Sequence, residues 1–233
     1  MTLVKNLFLA AVVAAVAGCQ GDSGLNGDSR ALSMGKVEFV SGESGTIGLV
    51  IRNSSGEEYG GCDCNLNQKV IRSGERYKIL NTVRADDGDG RVYAYAPWRE
   101  GGAAGDRMHI KVMEGDMVWW DTASFSESLT GIRLIMKPVL GVIDIEGAEG
   151  EVESIVFDGY TEGDLVMGTG TAELDPESWG SIRMESEPFC LLPGWYEEQD
   201  LRVETDRGIY TGRFGGDVRA GDTLHISVMP EEF

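Results

Sequence analysis

Apolar and polar residues alternate with a period of two along most of the chain from residue 36 onward. This alternation predicts β-strands with one buried face and one solvated face. The chain holds 33 glycines and 6 prolines, and the glycine-rich breaks between apolar segments predict many turns between short strands. The clearest alternating segments are 37–39, 46–52, 91–97, 108–112, 132–136, 201–203 and 224–228.

The number and spacing of these segments predict an all-β chain. About a dozen short strands separated by turns are typical of β-sandwiches. No segment after the N-terminus carries an apolar stripe of helical period over three turns. A polar stretch at 121–128 interrupts the alternation. We therefore predict an N-terminal β-sandwich over 35–125 and a C-terminal β-sandwich over 126–233.

The N-terminal segment has a different composition. Lys5 precedes an unbroken apolar run at 7–15, which is too short to cross a bilayer, since that takes about 20 apolar residues. A basic start, a short apolar core and small residues before a cut site are typical of a secretion signal. Here the small residues are followed at once by Cys19, which matches a bacterial lipobox. We predict that residues 1–18 are a lipoprotein signal peptide and that Cys19 is lipidated; an ordinary secreted protein with a cysteine at the cut is the alternative.

Two further features follow from this prediction. Acyl chains on Cys19 would anchor the protein stably to a membrane. Gln20 follows Cys19, which resembles Gram-negative lipoproteins that travel to the outer membrane. Residues 19–34 are mostly small and polar and predict a flexible tether. The expected location is therefore the surface of the outer membrane.

Charge excludes one class of partner. The chain carries 39 acidic and 20 basic residues, for a net charge of −19. Such a surface repels phosphate backbones, so we predict no binding to nucleic acid.

The residue types needed for catalysis are sparse, and we predict that the chain is not an enzyme and has no cofactor. The only histidines, His109 and His225, fall on the polar faces of predicted strands, and no Gly-x-Ser-x-Gly segment occurs. A pair of catalytic carboxylates like that of a glycosidase remains an alternative, although chance pairs of carboxylates are expected in so acidic a chain. The acidic residues considered are Glu151, Glu153, Glu185 and Glu187.

Beyond Cys19 the chain has Cys62, Cys64 and Cys190, an odd number that leaves at least one thiol unpaired or intermolecular. A bridge from Cys190 to either of the other two stays open. A structural zinc site needs four ligands, and no second paired motif accompanies Cys62 and Cys64, so we predict no metal site. The acidic segment 86–90 predicts a hairpin turn, and its oxygen spacing matches no standard calcium loop.

Several segments, taken in order, resemble motifs of one family. Residues 91–98 read R-V-Y-A-Y-A-P-W and are similar to a v-x-A-Y-x-P strand late in the family's first domain. The strand is followed at the expected distance by 110–112. Further similar segments are 45–50 (G-D-x-I-G-v), 67–70 (N-x-k-Y), 115–120 (D-l-l-x-A), 189–194 (l-l-P) and 219–228 (l-x-a-G-x-x-y-x-y-x-v). Nearly the whole mature chain thereby resembles the fimbrillin family, the Mfa-like surface lipoproteins of Bacteroidota. The family's histidine after the domain junction is absent, and Met136-Lys137-Pro138 lies near that place.

This resemblance implies two tandem transthyretin-like (Ig-like) β-sandwiches. It also implies a mode of assembly. In stalk-forming members a surface protease cuts after an N-terminal arginine, and a strand of the next subunit fills the groove that opens. The matching place here is Arg30–Ala31, although Arg30 could equally be an ordinary linker charge. The partners implied are other fimbrial subunits, bound by donor-strand addition.

The role within a fimbrium follows from the segment after Val228, which is short and contains Pro230 and two glutamates. Such a segment predicts a poor donor strand. We therefore expect a tip, accessory or anchor subunit that serves adhesion to a host glycan or protein.

The alternative function is a surface lipoprotein that binds glycans. Trp98, Trp119 and Trp120 are the candidate stacking residues, with Trp179 and Trp195 as further aromatic residues. Adjacent strand residues point to opposite faces, so one of Trp119 and Trp120 could be exposed. Burial of these rings in the core is the competing interpretation.

Overall fold

The computed structural model describes residues 30–57, 67–81, 83–85, 89–104, 106–112, 117–126 and 131–231. These residues are mostly β-strand, with one short 3-10 helix at Pro176–Ser178. The predicted all-β fold is confirmed. None of the helical structure in these ranges is long and apolar enough to cross a membrane.

Buried and exposed residues alternate in 107–111 and along most of 132–138, as the period-two pattern of the sequence predicts. Eleven strands lie before residue 139. They are β1 (Arg30–Ala31), β2 (Met34–Phe39), β3 (Thr46–Asn53), β4 (Gln68–Ser73), β5 (Arg76–Ile79), β6 (Arg84–Ala85), β7 (Gly90–Ala96), β8 (Ala103–Ala104), β9 (Arg107–Lys111), β10 (Trp119–Phe125) and β11 (Ile132–Pro138).

Nine more strands complete the described chain. They are β12 (Gly141–Glu146), β13 (Val152–Tyr160), β14 (Glu162–Val166), β15 (Thr171–Leu174), β16 (Trp179–Met184), β17 (Phe189–Leu191), β18 (Gly194–Thr205), β19 (Gly208–Val218) and β20 (Thr223–Pro230).

The first large sheet has seven strands in the order β2-β11-β10-β7-β3-β4-β5. Its two outer strands, β2 and β5, approach each other, so the sheet curls around one core. The short pair β1–β6 lies beside it as a separate two-stranded sheet. Alternating apolar residues fill the core, as the sequence pattern requires. The fully buried members include Ile47, Leu49, Ile51, Val70, Val92, Ala94, Ala96 and Met136.

The second large sheet also has seven strands, in the order β16-β13-β18-β19-β20-β12-β17. Strand β12 runs parallel to β20 and antiparallel to β17. Aromatic residues supply much of the volume of this core, because each large ring removes a wide apolar area from water. The core includes Ile143, Ile155, Phe157, Phe189, Tyr196, Leu201, Val203 and Phe214.

A four-stranded sheet of order β15-β14-β9-β8 combines strands from both halves of the chain. Strand β9 pairs antiparallel with β14, with Lys111 opposite Glu162 and Arg107 opposite Val166. Its buried face covers a third apolar core, which draws on both halves of the chain. This shared sheet was not predicted from the sequence. The core includes Val50, Tyr95, Met108, Ile110, Val139, Leu140, Leu165 and Leu192.

The polar stretch 121–128, used to place the domain boundary, begins inside a strand. Asp121 accepts a hydrogen bond from the amide of Ile135 at 2.6 Å, and the Thr122 hydroxyl donates to the Val92 carbonyl at 3.0 Å. Strand β11 then belongs to the first sheet and β12 to the second, so sheet membership changes between Pro138 and Gly141. The division at 125/126 stays a prediction.

Candidate functional site at the N-terminal edge strand

Strand β2 is the outermost strand of the first sheet, beside β11. The two strands are parallel, with Met34 opposite Ile132 and Phe39 opposite Met136, and the register shifts between Ile132 and Leu134. The Val40 amide extends the pairing with a 2.9 Å hydrogen bond to the Met136 carbonyl. An edge strand of this kind is joined to the sheet along one side only.

The inner face of β2 is apolar and packs on the first core through Met34, Val37 and Phe39. The Phe39 ring meets Trp119 edge-on, with centroids 5.3 Å apart, and lies 6.4 Å from the ring of Tyr77. Val37 and Phe39 fix the register of β2, because a slip by one residue would turn both toward solvent.

Trp119 also holds the turn that connects β2 to β3. Its indole Nε1 donates to the Ser41 carbonyl at 2.8 Å. Gly42 adopts φ of +66°, and a Cβ there would lie 2.9 Å from the Trp119 ring. The Tyr77 hydroxyl donates to the Ser44 carbonyl, and burial raises the pKa of Tyr77. The edge strand and its turn are therefore secured by two aromatic residues of other strands.

Gly35 allows β2 to approach the loop before β11 closely. A Cβ at this position would lie 2.6 Å from the Gly131 carbonyl oxygen. We expect Gly35→Ala to destabilise the fold by about 1–3 kcal/mol, as overpacking does, and to speed hydrogen exchange of the Val40 amide. Gly45→Ala is the matched control, since no heavy atom lies within 4 Å of its Cβ position. Equal stability of the two variants in urea unfolding would contradict this prediction.

Arg30 and Ala31, the candidate cleavage site, form β1 and pair with Ala85 and Arg84. These two residues, and Met34 at the start of β2, belong to the predicted tether 19–34 but lie in strands. The next arginine in the sequence is Arg52, within β3. A cut after Arg30 would therefore leave β2 covalently joined to β3.

The tryptophans proposed to stack on glycans do not form one exposed patch. Trp119 and Trp120 point to opposite faces, as predicted, but Trp119 is only 7% exposed in the first core. Trp120 packs against the third core and donates from Nε1 to the Met167 carbonyl at 3.0 Å. Trp98 donates to the Asn67 carbonyl at 3.2 Å and carries the Lys69 ammonium 4.1 Å from its ring centroid.

Core packing explains this outcome, because each ring fills volume and uses its N–H in an internal hydrogen bond. The stacking role proposed for Trp119 is therefore corrected, since almost none of its side chain is accessible to a sugar. The described tryptophans with substantial exposure are Trp179, at 41%, and Trp195, at 68%.

The fold resembles three crystal structures of Bacteroides proteins whose names propose a role in cell adhesion. The protein from Bacteroides ovatus has a TM-score of 0.61 and 13% identity, covering 87% of this chain and 97% of that one. The Bacteroides uniformis protein has a TM-score of 0.60 and 14% identity, covering 88% and 97%. The Bacteroides thetaiotaomicron protein has a TM-score of 0.59 and 16% identity, covering 86% and 93%.

These similarities establish a shared fold along nearly the full length of both chains. The sequence itself matches no protein-family model and no curated protein.

Of the cysteines, Cys190 is buried in the third core at 6% exposure. The lipidation candidate Cys19 and the pair Cys62 and Cys64 lie outside the described residues, as does the segment 86–88 of the predicted turn. The lipidation of Cys19 and the disulfide state therefore stay predictions.

The solvent face of the shared sheet carries a row of ion pairs that joins the two halves of the chain. Arg107 contacts Glu173 at 2.6 Å and Asp164 at 3.6 Å, and Lys111 contacts Glu162 at 3.1 Å. The hydrogen bond from Lys111 lowers the pKa of Glu162. Because these groups are exposed or half-buried at the surface, salt should weaken their attraction.

Proposed function

We propose that this protein is a fimbrillin-like lipoprotein of the outer-membrane surface, and that it is an accessory, tip or anchor subunit of fimbriae that serve adhesion. The fold shared with Bacteroides proteins named for cell adhesion supports this proposal, as do the family-like segments of the sequence. Its partners would be other fimbrial subunits, bound by strand addition, and the membrane, reached through lipid on Cys19. The adhesion ligand would be a host glycan or protein.

The observation that carries the proposal is the parallel edge strand β2. A strand from another subunit can add to such an edge, since main-chain hydrogen bonds supply affinity and alternate apolar side chains supply register. Within the chain, β2 already pairs with β11 through main-chain hydrogen bonds, and its apolar side chains Val37 and Phe39 pack on the first core. A partner strand with the same alternation would pair with the free edge of β2 and part it from β5, which approaches that edge.

The position of Arg30 favours an accessory or anchor subunit. Cleavage after Arg30 would detach the lipid anchor but would not detach β2 from β3. A subunit whose groove is opened by removal of its first strand needs a cut after that strand. The segment 40–45, which connects β2 to β3, contains no arginine or lysine. We therefore propose that β2 stays with the subunit.

Two experiments test this function. The first treats the full-length chain with an arginine-specific protease and sequences the new N-terminus. We expect cleavage after Arg30 in the natural chain and none in Arg30→Lys, with thermal unfolding of the cleaved chain nearly unchanged because β2 remains. Unfolding of the first core after this cut would contradict the retention of β2. Equal cleavage of the natural chain and of Arg30→Lys would show that Arg30 is not the cleavage site.

The second experiment places a photoreactive amino acid on the edge strand in the native cell. Lys36 is exposed on β2, and Thr171, exposed on β15, is the control position. We expect crosslinks from position 36 to other fimbrial subunits and far fewer from position 171. Assembled fimbriae without crosslinks from position 36 would contradict strand addition at this edge.

A further inference from the structure

His225 lies between two carboxylates on the exposed face of the second large sheet. Parallel pairing of β12 with β20 places Asp144 opposite His225, and Glu146 lies two residues further along the same face. The Nδ1 atom of His225 is 3.1 Å from Asp144 Oδ2 and 3.0 Å from Glu146 Oε1. One ligand-type atom from each of the three residues lies within 4.8 Å of the other two.

The geometry is unusual because both carboxylates approach the same ring nitrogen. A neutral imidazole carries one N–H, so Nδ1 offers at most one hydrogen to Asp144 and Glu146 together. Within the described part of the chain, no lysine or arginine forms an ion pair with either carboxylate. The cluster therefore concentrates negative charge without a cationic side chain.

His109 provides a contrast within the same chain. Its Nε2 lies 3.2 Å from Glu162 and its Nδ1 lies 3.3 Å from Asp164, so its two carboxylates bind opposite nitrogens. Lys111 and Arg107 also contact these carboxylates and supply positive charge. The two carboxylates near His109 therefore contact different nitrogens of the ring, and Lys111 and Arg107 balance their negative charge. The two carboxylates near His225 instead contact the same nitrogen.

We infer that Asp144, Glu146 and His225 form a binding site for a divalent transition-metal cation of the Zn²⁺ type. One imidazole nitrogen and two carboxylate oxygens are ligands that such ions accept, and three protein ligands leave a further position open. The net charge of −19 favours the approach of cations. An ion bound there would have ligands on both strands, Asp144 and Glu146 on β12 and His225 on β20.

This site was missed in the sequence, which led us to predict no metal. That prediction considered Cys62 and Cys64, whereas Asp144 and Glu146 are distant from His225 along the chain. Parallel pairing of β12 and β20 removes that distance, because it places Asp144 and His225 side by side. The alternation of each strand then turns both side chains to the same face.

Titration calorimetry with ZnCl₂ tests the inference. The full-length chain should carry Cys62→Ser and Cys64→Ser, because thiolates bind Zn²⁺ strongly. We expect saturable binding of one Zn²⁺ per chain and a rise in the thermal midpoint on adding Zn²⁺. His225→Ala should weaken the affinity by about tenfold or more, since loss even of groups that support metal ligands costs that much. His109→Ala is the matched control and should leave the affinity unchanged.

The isosteric double variant Asp144→Asn, Glu146→Gln separates ligation from folding. We expect it to keep the thermal midpoint of the zinc-free chain and to lose the Zn²⁺-dependent rise. No binding in the Cys62→Ser, Cys64→Ser background would overturn the inference. Equal affinity of His225→Ala and His109→Ala would also overturn it, because the binding would then lie elsewhere or be non-specific.

Discussion

Replacing Trp119 by alanine is expected to destabilise the protein by about 3–5 kcal/mol, the range for truncating a large buried aromatic residue. The ring is 7% exposed, contacts Phe39 edge-on, and donates a hydrogen bond to the Ser41 carbonyl. Its loss would leave a cavity in the first core and release the turn after β2. We therefore expect urea unfolding at a clearly lower midpoint, with β2 becoming accessible to protease in the native state.

Trp195→Ala is the matched control for this prediction. Trp195 is 68% exposed, so its truncation should change the free energy of unfolding by about 0.5 kcal/mol or less. The comparison also separates the two functional interpretations. If Trp119 stacked on a glycan, Trp119→Ala would lose glycan binding while keeping its stability. A stable Trp119→Ala variant would contradict the core role that we assign to this ring.

The strands could be predicted from the sequence because burial on one face of a strand imposes a period of two. In β9, for example, Met108 and Ile110 are fully buried while the residues between and beside them are exposed. The same alternation predicted opposite directions for Trp119 and Trp120. It could not predict that both faces are covered. Trp120 is covered by the chain near Met167, which is remote in sequence.

Pairing between distant strands was not predictable from local pattern. The parallel pairs β2–β11 and β12–β20, and the shared pair β9–β14, join segments far apart in the chain. The alternation of apolar and polar residues predicts which side chains of a strand are buried, but it does not predict which other strand pairs with it. The hydrogen bonds of Asp121 and Thr122 were not predictable for the same reason, because their partners, Ile135 and Val92, lie on neighbouring strands.

The candidate sites likewise differ in whether they depend on local sequence or on the pairing of distant strands. Cys19 and Arg30 could be named from sequence because a lipobox and an arginine in a tether are local features. The structure added the relation that matters for Arg30, namely that β2 lies after it and remains joined to β3. The cluster at His225 depends wholly on strand pairing, so no local feature could indicate it.

Cys19→Ala is expected to abolish retention of the protein in the membrane. Cys19 follows a short apolar run and an Ala-Gly pair, and the acyl chains on its sulfur would be the only stable anchor that we predict. Fractionation of cells should move the protein from the outer membrane to soluble fractions, and radiolabelled palmitate should enter the natural chain but not the variant. Whole-cell protease treatment should digest the natural protein, since we expect it to face the exterior.

Cys62→Ala controls for the loss of a thiol, because it leaves the lipobox intact. It should incorporate palmitate and remain in the membrane as the natural chain does. Membrane retention of Cys19→Ala would mean that another contact, such as pairing with a fimbrial subunit at β2, holds the protein there. Combining Cys19→Ala with Gly35→Ala would then distinguish the two attachments, because only attachment through β2 depends on close packing of Gly35 against Gly131.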